Sequence, residues 1–185
     1  MTENRFHIAF LGVGLMGAPM VRNLLDAGYP MTLWNRTGSK CEPFADEATI
    51  AGTPEDAVRD ADIVITMLEN GDVVEDVMVA QGGIAALKAG AVYIDMSSVQ
   101  PSLARRHAAL AQEQGVGYVD APVSGGTVGA EQATLSIMAG GSGADVERIL
   151  AFHAVGRADP VPYVKPWPEV LQDAINTEKK HKETI

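Results

Sequence analysis

HIAFLGVGLMGAPMVRNLLDAG, residues 7–28, is the stretch whose reading decides the fold. His7 to Leu11 is an apolar run of strand length. The pattern G-x-G-x-x-G follows, across Gly12, Val13, Gly14, Leu15, Met16 and Gly17. Met16, Met20 and Leu24, with Val21 and Leu25 beside them, recur at helical spacing, and Gly28 is placed to end that helix. A strand that runs through such glycines into an amphipathic helix makes a tight turn. Backbone can then approach a pyrophosphate, whose charge meets free N–H groups and the positive end of the helix dipole. These flanks select a dinucleotide-binding turn over a glycine-rich surface loop with no ligand.

Outward from this turn the same grammar repeats. Met31 to Trp34, Ile63 to Leu68, Val92 to Met96, Gly117 to Val119 and Leu135 to Ala139 are short apolar runs bounded by polar or glycine residues, and helical patterns separate them, clearest from Pro101 to Gln114. Continuous rather than alternating apolarity suits strands covered on both faces. The expected fold is therefore α/β, a doubly wound parallel sheet of the Rossmann type over residues 1–150. Past about Leu150 the pattern stops: Pro160, Pro162, Pro166 and Pro168 crowd nine positions. Residues 151–185 read as an irregular Pro-rich segment and a short terminal helix around Val170, Leu171, Ala174 and Ile175.

The 185 residues are 46% hydrophobic and 21% charged, an ordinary globular balance, with a formal net charge of −10 that argues against nucleic acid as a partner. Cys41 is the only cysteine, so neither an internal disulfide nor a thiolate zinc cluster can form. With no signal-peptide pattern and no long apolar run, a soluble, cytoplasmic protein without membrane contact is expected.

Some 20 residues beyond such a turn, an NAD-preferring protein usually presents an acidic residue to the ribose 2′-hydroxyl. Here the second strand ends in Asn35-Arg36-Thr37, with Ser39 and Lys40 just beyond and no carboxylate. A 2′-phosphate calls for positive charge and bidentate donors, so NADP is the expected cofactor, with NAD second. The plainer alternative has Thr37 capping the next helix and Arg36 solvated.

Four blocks together carry a family resemblance: IAFLGVGLMGAPMVRNLLDAGY at the turn, LWNRT after the second strand, YIDMSSVQP at 93–101, and YVDAPVSGGTVGAEQATLSIMAGG at 118–141. Over about its first 150 residues the chain resembles the β-hydroxyacid dehydrogenases, which include 3-hydroxyisobutyrate dehydrogenase and tartronate semialdehyde reductase. The resemblance implies that Met67 and Leu68 lie against the nicotinamide side of the cofactor and that Ser98 contacts the nicotinamide ribose region. It likewise implies that Ser124, Gly125 and Gly126 hold a substrate carboxylate through amides and one hydroxyl. Glu69 stands where the family often has proline.

Such chemistry also needs a group to give or take the alcohol proton. The family supplies a helical lysine in a setting like G-x-G-x-x-x-K-x-x-x-N, and none of Lys165, Lys179, Lys180 and Lys182 has that setting. Of the four histidines, His7 falls in a strand, His107 on a charged helical face, and His153 near the domain's end. No metal-ligand spacing occurs. No catalytic residue is therefore assigned, and the family's helical second domain is not legible. Two readings follow: an NADP-dependent oxidoreductase acting on a small carboxylate-bearing aldehyde or 3-hydroxy acid, or a truncated cofactor-binding remnant without turnover. A bare interdomain face makes a homo-oligomer the expected state.

Overall fold

The computed structural model describes residues 6–154, with side chains described through Ile149. Strands Ile8–Leu11 (β1), Met31–Trp34 (β2), Ile63–Thr66 (β4) and Val92–Asp95 (β5) are buried at every position, as their mainly apolar runs require. With Thr49–Ile50 (β3), Gly117–Asp120 (β6) and Gly140–Gly141 (β9) they form one sheet in the order β3-β2-β1-β4-β5-β6-β9. The first six strands in that order are parallel, and β9 joins β6 antiparallel.

Helices cover both faces. Gly17–Asp26 (α1) and Gly143–Ala154 (α6) lie over the side that holds Ile8, Phe10, Leu33, Ile65 and Ile94. The opposite side, built on Ala9, Leu11, Val64, Tyr93 and Tyr118, is covered by Pro54–Val58 (α2), Gly71–Glu75 (α3) and Pro101–Glu113 (α4). Residues Asp76–Ala80 continue α3 as a wider π turn.

The sheet departs from expectation at one edge. The strand predicted over Leu135 to Ala139 shortens to Ser136–Ile137 (β8), which pairs antiparallel with Val123–Ser124 (β7) in a separate two-stranded ladder. Ser136 is exposed between buried Leu135 and half-buried Ile137, a pattern for a one-sided ladder rather than a strand covered on both faces. The short helix Gly126–Glu131 (α5) lies between β7 and β8, and Asn23 of α1 anchors it by donating to the Ala130 carbonyl at 2.7 Å.

His107 is a second correction. Placed on a charged helical face by its neighbours Arg105 and Arg106, it is fully buried, because Ala104, His107 and Ala111 form the stripe that α4 turns to the sheet. Its Nε2 lies 2.8 Å from Glu75 Oε2, and Arg106 reaches the other oxygen of that carboxylate. His7 precedes β1 and bonds Thr32 Oγ1 through its ring at 3.0 Å. The predicted Pro-rich segment and terminal helix lie outside the described residues, apart from the end of α6.

Candidate functional site

In the strand order, β1 stands between β2 and β4, so the connections leaving β1 and β4 diverge to opposite faces. A crevice opens at the carboxyl ends of strands at such a switch point. Here it is a groove of about 500 Å³ that runs from the end of β2, across the glycine turn, to the end of β4. Of the predicted cofactor residues, Gly12, Gly14, Leu15, Met16, Gly17, Asn35, Arg36, Thr37, Met67 and Leu68 line it together.

The three glycines do different jobs. Gly12 has φ 108°, and a Cβ there would overlap the Met67 carbonyl, so the turn folds against the end of β4 only without a side chain. A Cβ at Gly17 would overlap the Gly12 carbonyl, so that glycine sets the close return of α1 over the turn. At Gly14 a Cβ would meet nothing within 4 Å. Its missing side chain leaves room in the groove itself. The N–H groups of Gly14, Leu15 and Met16 have no acceptor among the described residues, while the Gly14 carbonyl accepts from Ala18 at 2.9 Å. Bare amides at a helix start beside open space suit a pyrophosphate. Val13 is not part of this lining: it is 2% exposed and packs in the core.

At the β2 end, Arg36 and Lys40 are exposed and pair with no carboxylate among the described residues. Thr37 precedes a single 3₁₀ turn and makes no side-chain cap bond, so the capping alternative finds no hydrogen bond here. Asn35 Nδ2 donates to the Thr37 carbonyl at 3.0 Å, tying this short loop to itself.

Ser98 lies apart from the groove. It is exposed and lines a neighbouring cavity of about 520 Å³ with Asn70, Gly71, Gln100, Ser102 and Arg106. Ser124, Gly125 and Gly126 are exposed at the β7–α5 turn and line neither cavity. Among the described residues no group of three His, Cys, Asp or Glu side chains is placed to hold a metal, and no lysine follows Gly141.

Sequence reading missed the far wall of the groove, made by Val73, Asp76 and Val77 with Trp34. The signal was present: Asn70 caps α3, accepting from the Val73 N–H at 3.0 Å, and Val73 and Val77 recur at i, i+4. Also missed was a buried polar cluster behind Met67 and Leu68. Thr66 Oγ1 donates to Asp95 Oδ1 at 2.8 Å, and the Ser97 N–H donates to the same oxygen at 3.0 Å. Ser97 Oγ in turn accepts from the Leu68 N–H at 3.0 Å, and the Tyr93 hydroxyl lies 3.2 Å from Thr66 Oγ1. Burial pushes the Asp95 carboxyl up, and the Ser97 and Thr66 hydrogen bonds pull it back. Burial, then the Asp95 charge beside it in register, pushes Asp120 up to about 6.

A doubly wound sheet with an amide-lined, glycine-shaped crevice at its switch point defines a dinucleotide-binding domain. Comparison with known proteins names the family. The chain belongs to the family of the NAD-binding domain of 6-phosphogluconate dehydrogenase, whose model matches residues 7–159. It is 43% identical over 149 residues to a 2-(hydroxymethyl)glutarate dehydrogenase of Eubacterium barkeri, covering 80% of this chain and 50% of that protein. Over 153 residues it is 40% identical to an NAD-dependent L-serine dehydrogenase of Pseudomonas aeruginosa, covering 81% of this chain and 51% of the relative. Among solved structures, the 3-hydroxyisobutyrate dehydrogenase of Mycobacterium tuberculosis with L-serine superposes with a TM-score of 0.78 at 34% identity, over 88% of this chain and 54% of that one. The chain thus spans about half the length of the curated relatives it matches. Among the described residues no helix is long and apolar enough to cross a membrane.

Proposed function

We propose that this chain binds NADP(H) in preference to NAD(H), as the cofactor-binding part of an oxidoreductase for a small hydroxy acid or its semialdehyde. The observation that carries the reading is the pair Arg36 and Lys40, unpaired with any carboxylate among the described residues, on the groove at the end of β2. The Pseudomonas relative is named NAD-dependent, so the preference rests on this chain's own residues.

In this reading the Arg36 guanidinium holds the 2′-phosphate, with Asn35, Thr37 and Lys40 beside it. The amides of Gly14, Leu15 and Met16 take the pyrophosphate. Met67 and Leu68 form the wall for the nicotinamide. The cofactor supplies the hydride acceptor or donor. Ser124, Gly125 and Gly126 offer a hydroxyl and amides to a substrate carboxylate. The substrate class follows from the named relatives, a 2-(hydroxymethyl)glutarate dehydrogenase and an L-serine dehydrogenase.

A second reading, binding without turnover, is favoured by one feature: the helical lysine that the family resemblance calls for after the Gly140-Gly141 pair is absent from residues 142–154. Fluorescence titration with NADPH and NADH, run beside turnover of tartronate semialdehyde and 3-hydroxyisobutyrate, separates the two. Tight NADPH binding with no turnover selects the second; turnover selects the first. No binding of either nucleotide rejects both.

Self-association belongs to the same proposal, because Val128 on α5 is 59% exposed beside the Ser124–Gly126 turn. A clean monomer at high concentration by light scattering would remove it. A reducing, cytoplasmic setting agrees with a single, buried cysteine, Cys41.

A further inference from the structure

The groove has a direction. Arg36 stands at the end of β2, the glycine turn follows β1, and Met67 and Leu68 follow β4, in that order across the sheet. A dinucleotide with its 2′-phosphate on Arg36 and its pyrophosphate on the turn must carry its nicotinamide half toward β4. What fixes the β4 end then decides how that half is received.

Met67 and Leu68 are fixed from behind. The Met67 N–H donates to the Leu11 carbonyl and the Met96 N–H to the Thr66 carbonyl, each at 2.9 Å, which continues the sheet ladder one residue past the strands. Beyond that point no ladder bond holds Leu68. Its N–H is instead taken by Ser97 Oγ, a fully buried side chain from the neighbouring strand end. Ser97 is itself held through its own N–H by Asp95 Oδ1, the atom that also accepts from Thr66 Oγ1. Asp95 and Thr66 are both fully buried and are register partners on adjacent strands. One carboxylate oxygen thus joins the ends of β4 and β5 from inside the protein, and the chain of bonds ends on a groove-lining peptide.

We infer that Thr66, Asp95 and Ser97 are positioning residues for the nicotinamide half of the cofactor, acting through the Leu68 peptide without touching the ligand. This rests on the cofactor reading given above. The chemistry of Asp95 fits such a role, since a carboxylate oxygen accepts two donors at once, and hydrogen bonds to a charged acceptor are the stronger kind. Being inside the protein, the link is little screened and geometrically stiff. Its position also explains why the exposed Ser98 is not the serine that organises this loop.

The test compares two ligands on the whole chain. NADPH fills the groove end to end, whereas 2′,5′-ADP reaches only the Arg36 end and the turn. Ser97→Ala, which loses the hydroxyl that accepts from the Leu68 N–H, and Thr66→Val, which loses the donor to Asp95, are each expected to raise the NADPH Kd about tenfold, on the scale of one lost hydrogen bond. The 2′,5′-ADP Kd should stay within about twofold of wild type, since its contacts are elsewhere. Thr66→Ser, which keeps the hydroxyl, should restore NADPH affinity. The emission maximum of bound NADPH should shift in Ser97→Ala and Thr66→Val only. Equal weakening of both ligands would mean general loosening of the fold and overturn the assignment, as would NADPH affinity and emission unchanged in both variants. Wild-type chain that binds neither ligand overturns the cofactor reading and this inference with it, whereas a failure of this inference alone leaves wild-type binding intact.

Discussion

Alanine at each of the three turn glycines gives the sharpest test of the groove, because the structure assigns opposite outcomes to positions within six residues of each other. At Gly14 the backbone does not have positive φ, and a methyl group meets nothing within 4 Å. The folded chain accommodates it without strain, and replacing glycine at such a site stabilises by about 0.4–1 kcal/mol through the unfolded state. The same methyl occupies the space that a pyrophosphate needs to reach the amides of Gly14, Leu15 and Met16. Losing one amide-to-phosphate bond costs about 1.5–3 kcal/mol, which is about 10- to 150-fold in Kd. Gly14→Ala should therefore melt at or slightly above the wild-type temperature while losing NADPH affinity by that factor. Gly17→Ala drives its methyl into the Gly12 carbonyl, and Gly12→Ala into the Met67 carbonyl with φ at 108°, so both collide with backbone that cannot swing aside. Overpacking of this kind costs about 1–3 kcal/mol or more. These two variants should lose stability and binding together. Thermal melts followed by circular dichroism, paired with NADPH fluorescence titration, read both quantities. A Gly14→Ala variant with wild-type affinity would refute the claim that the ligand approaches the turn through that gap.

Three further outcomes are expected. Arg36→Glu should weaken NADPH by about 10- to 150-fold, the range of charge-assisted bonds, and leave NADH within about threefold; equal loss of both removes the 2′-phosphate assignment. Asp120, whose carboxyl is raised from 3.8 to about 6, is protonated in the folded chain where it is already ionised in the unfolded one. Its contribution to stability is therefore lost as pH rises from about 4 to about 6, and melting temperatures of Asp120→Asn should vary less with pH across that window than those of wild type. Cys41 is fully buried and burial pushes its thiol up, so a disulfide reagent should label it at the rate at which the chain opens. Labelling of native protein as fast as that of denatured protein would contradict this.

Much of this architecture is legible in the residues because its physics is local. β1, β2, β4 and β5 announce themselves as mainly apolar runs, with Thr32 inside β2 and with Thr66 and Asp95 at the ends of β4 and β5, since both faces of each are covered. The glycine turn is equally plain, as its demands fall on consecutive residues. What the chain conceals depends on partners distant in sequence. β9 is two glycines, with no side chain to signal a strand, and exists because β6 presents an open edge. His107 carries two arginines before it, and only the packing of α4 shows which side is inward. The cluster of Thr66, Asp95 and Ser97 requires the register that sets Thr66 beside Asp95 across 29 positions. For the candidate site, the ten groove residues anticipated from motifs do share one surface, while Val13 turns inward and Ser98 faces another cavity.

The sheet's two borders are each only two residues long, Thr49–Ile50 on one side and Gly140–Gly141 on the other. Neither offers a long row of unsatisfied backbone to template a foreign strand, so fibrillar stacking by continuation of this sheet is disfavoured at both margins. Among the described residues, assembly through this sheet therefore falls to side chains on the covering helices and turns, where a few substitutions can dissolve it without disturbing the groove.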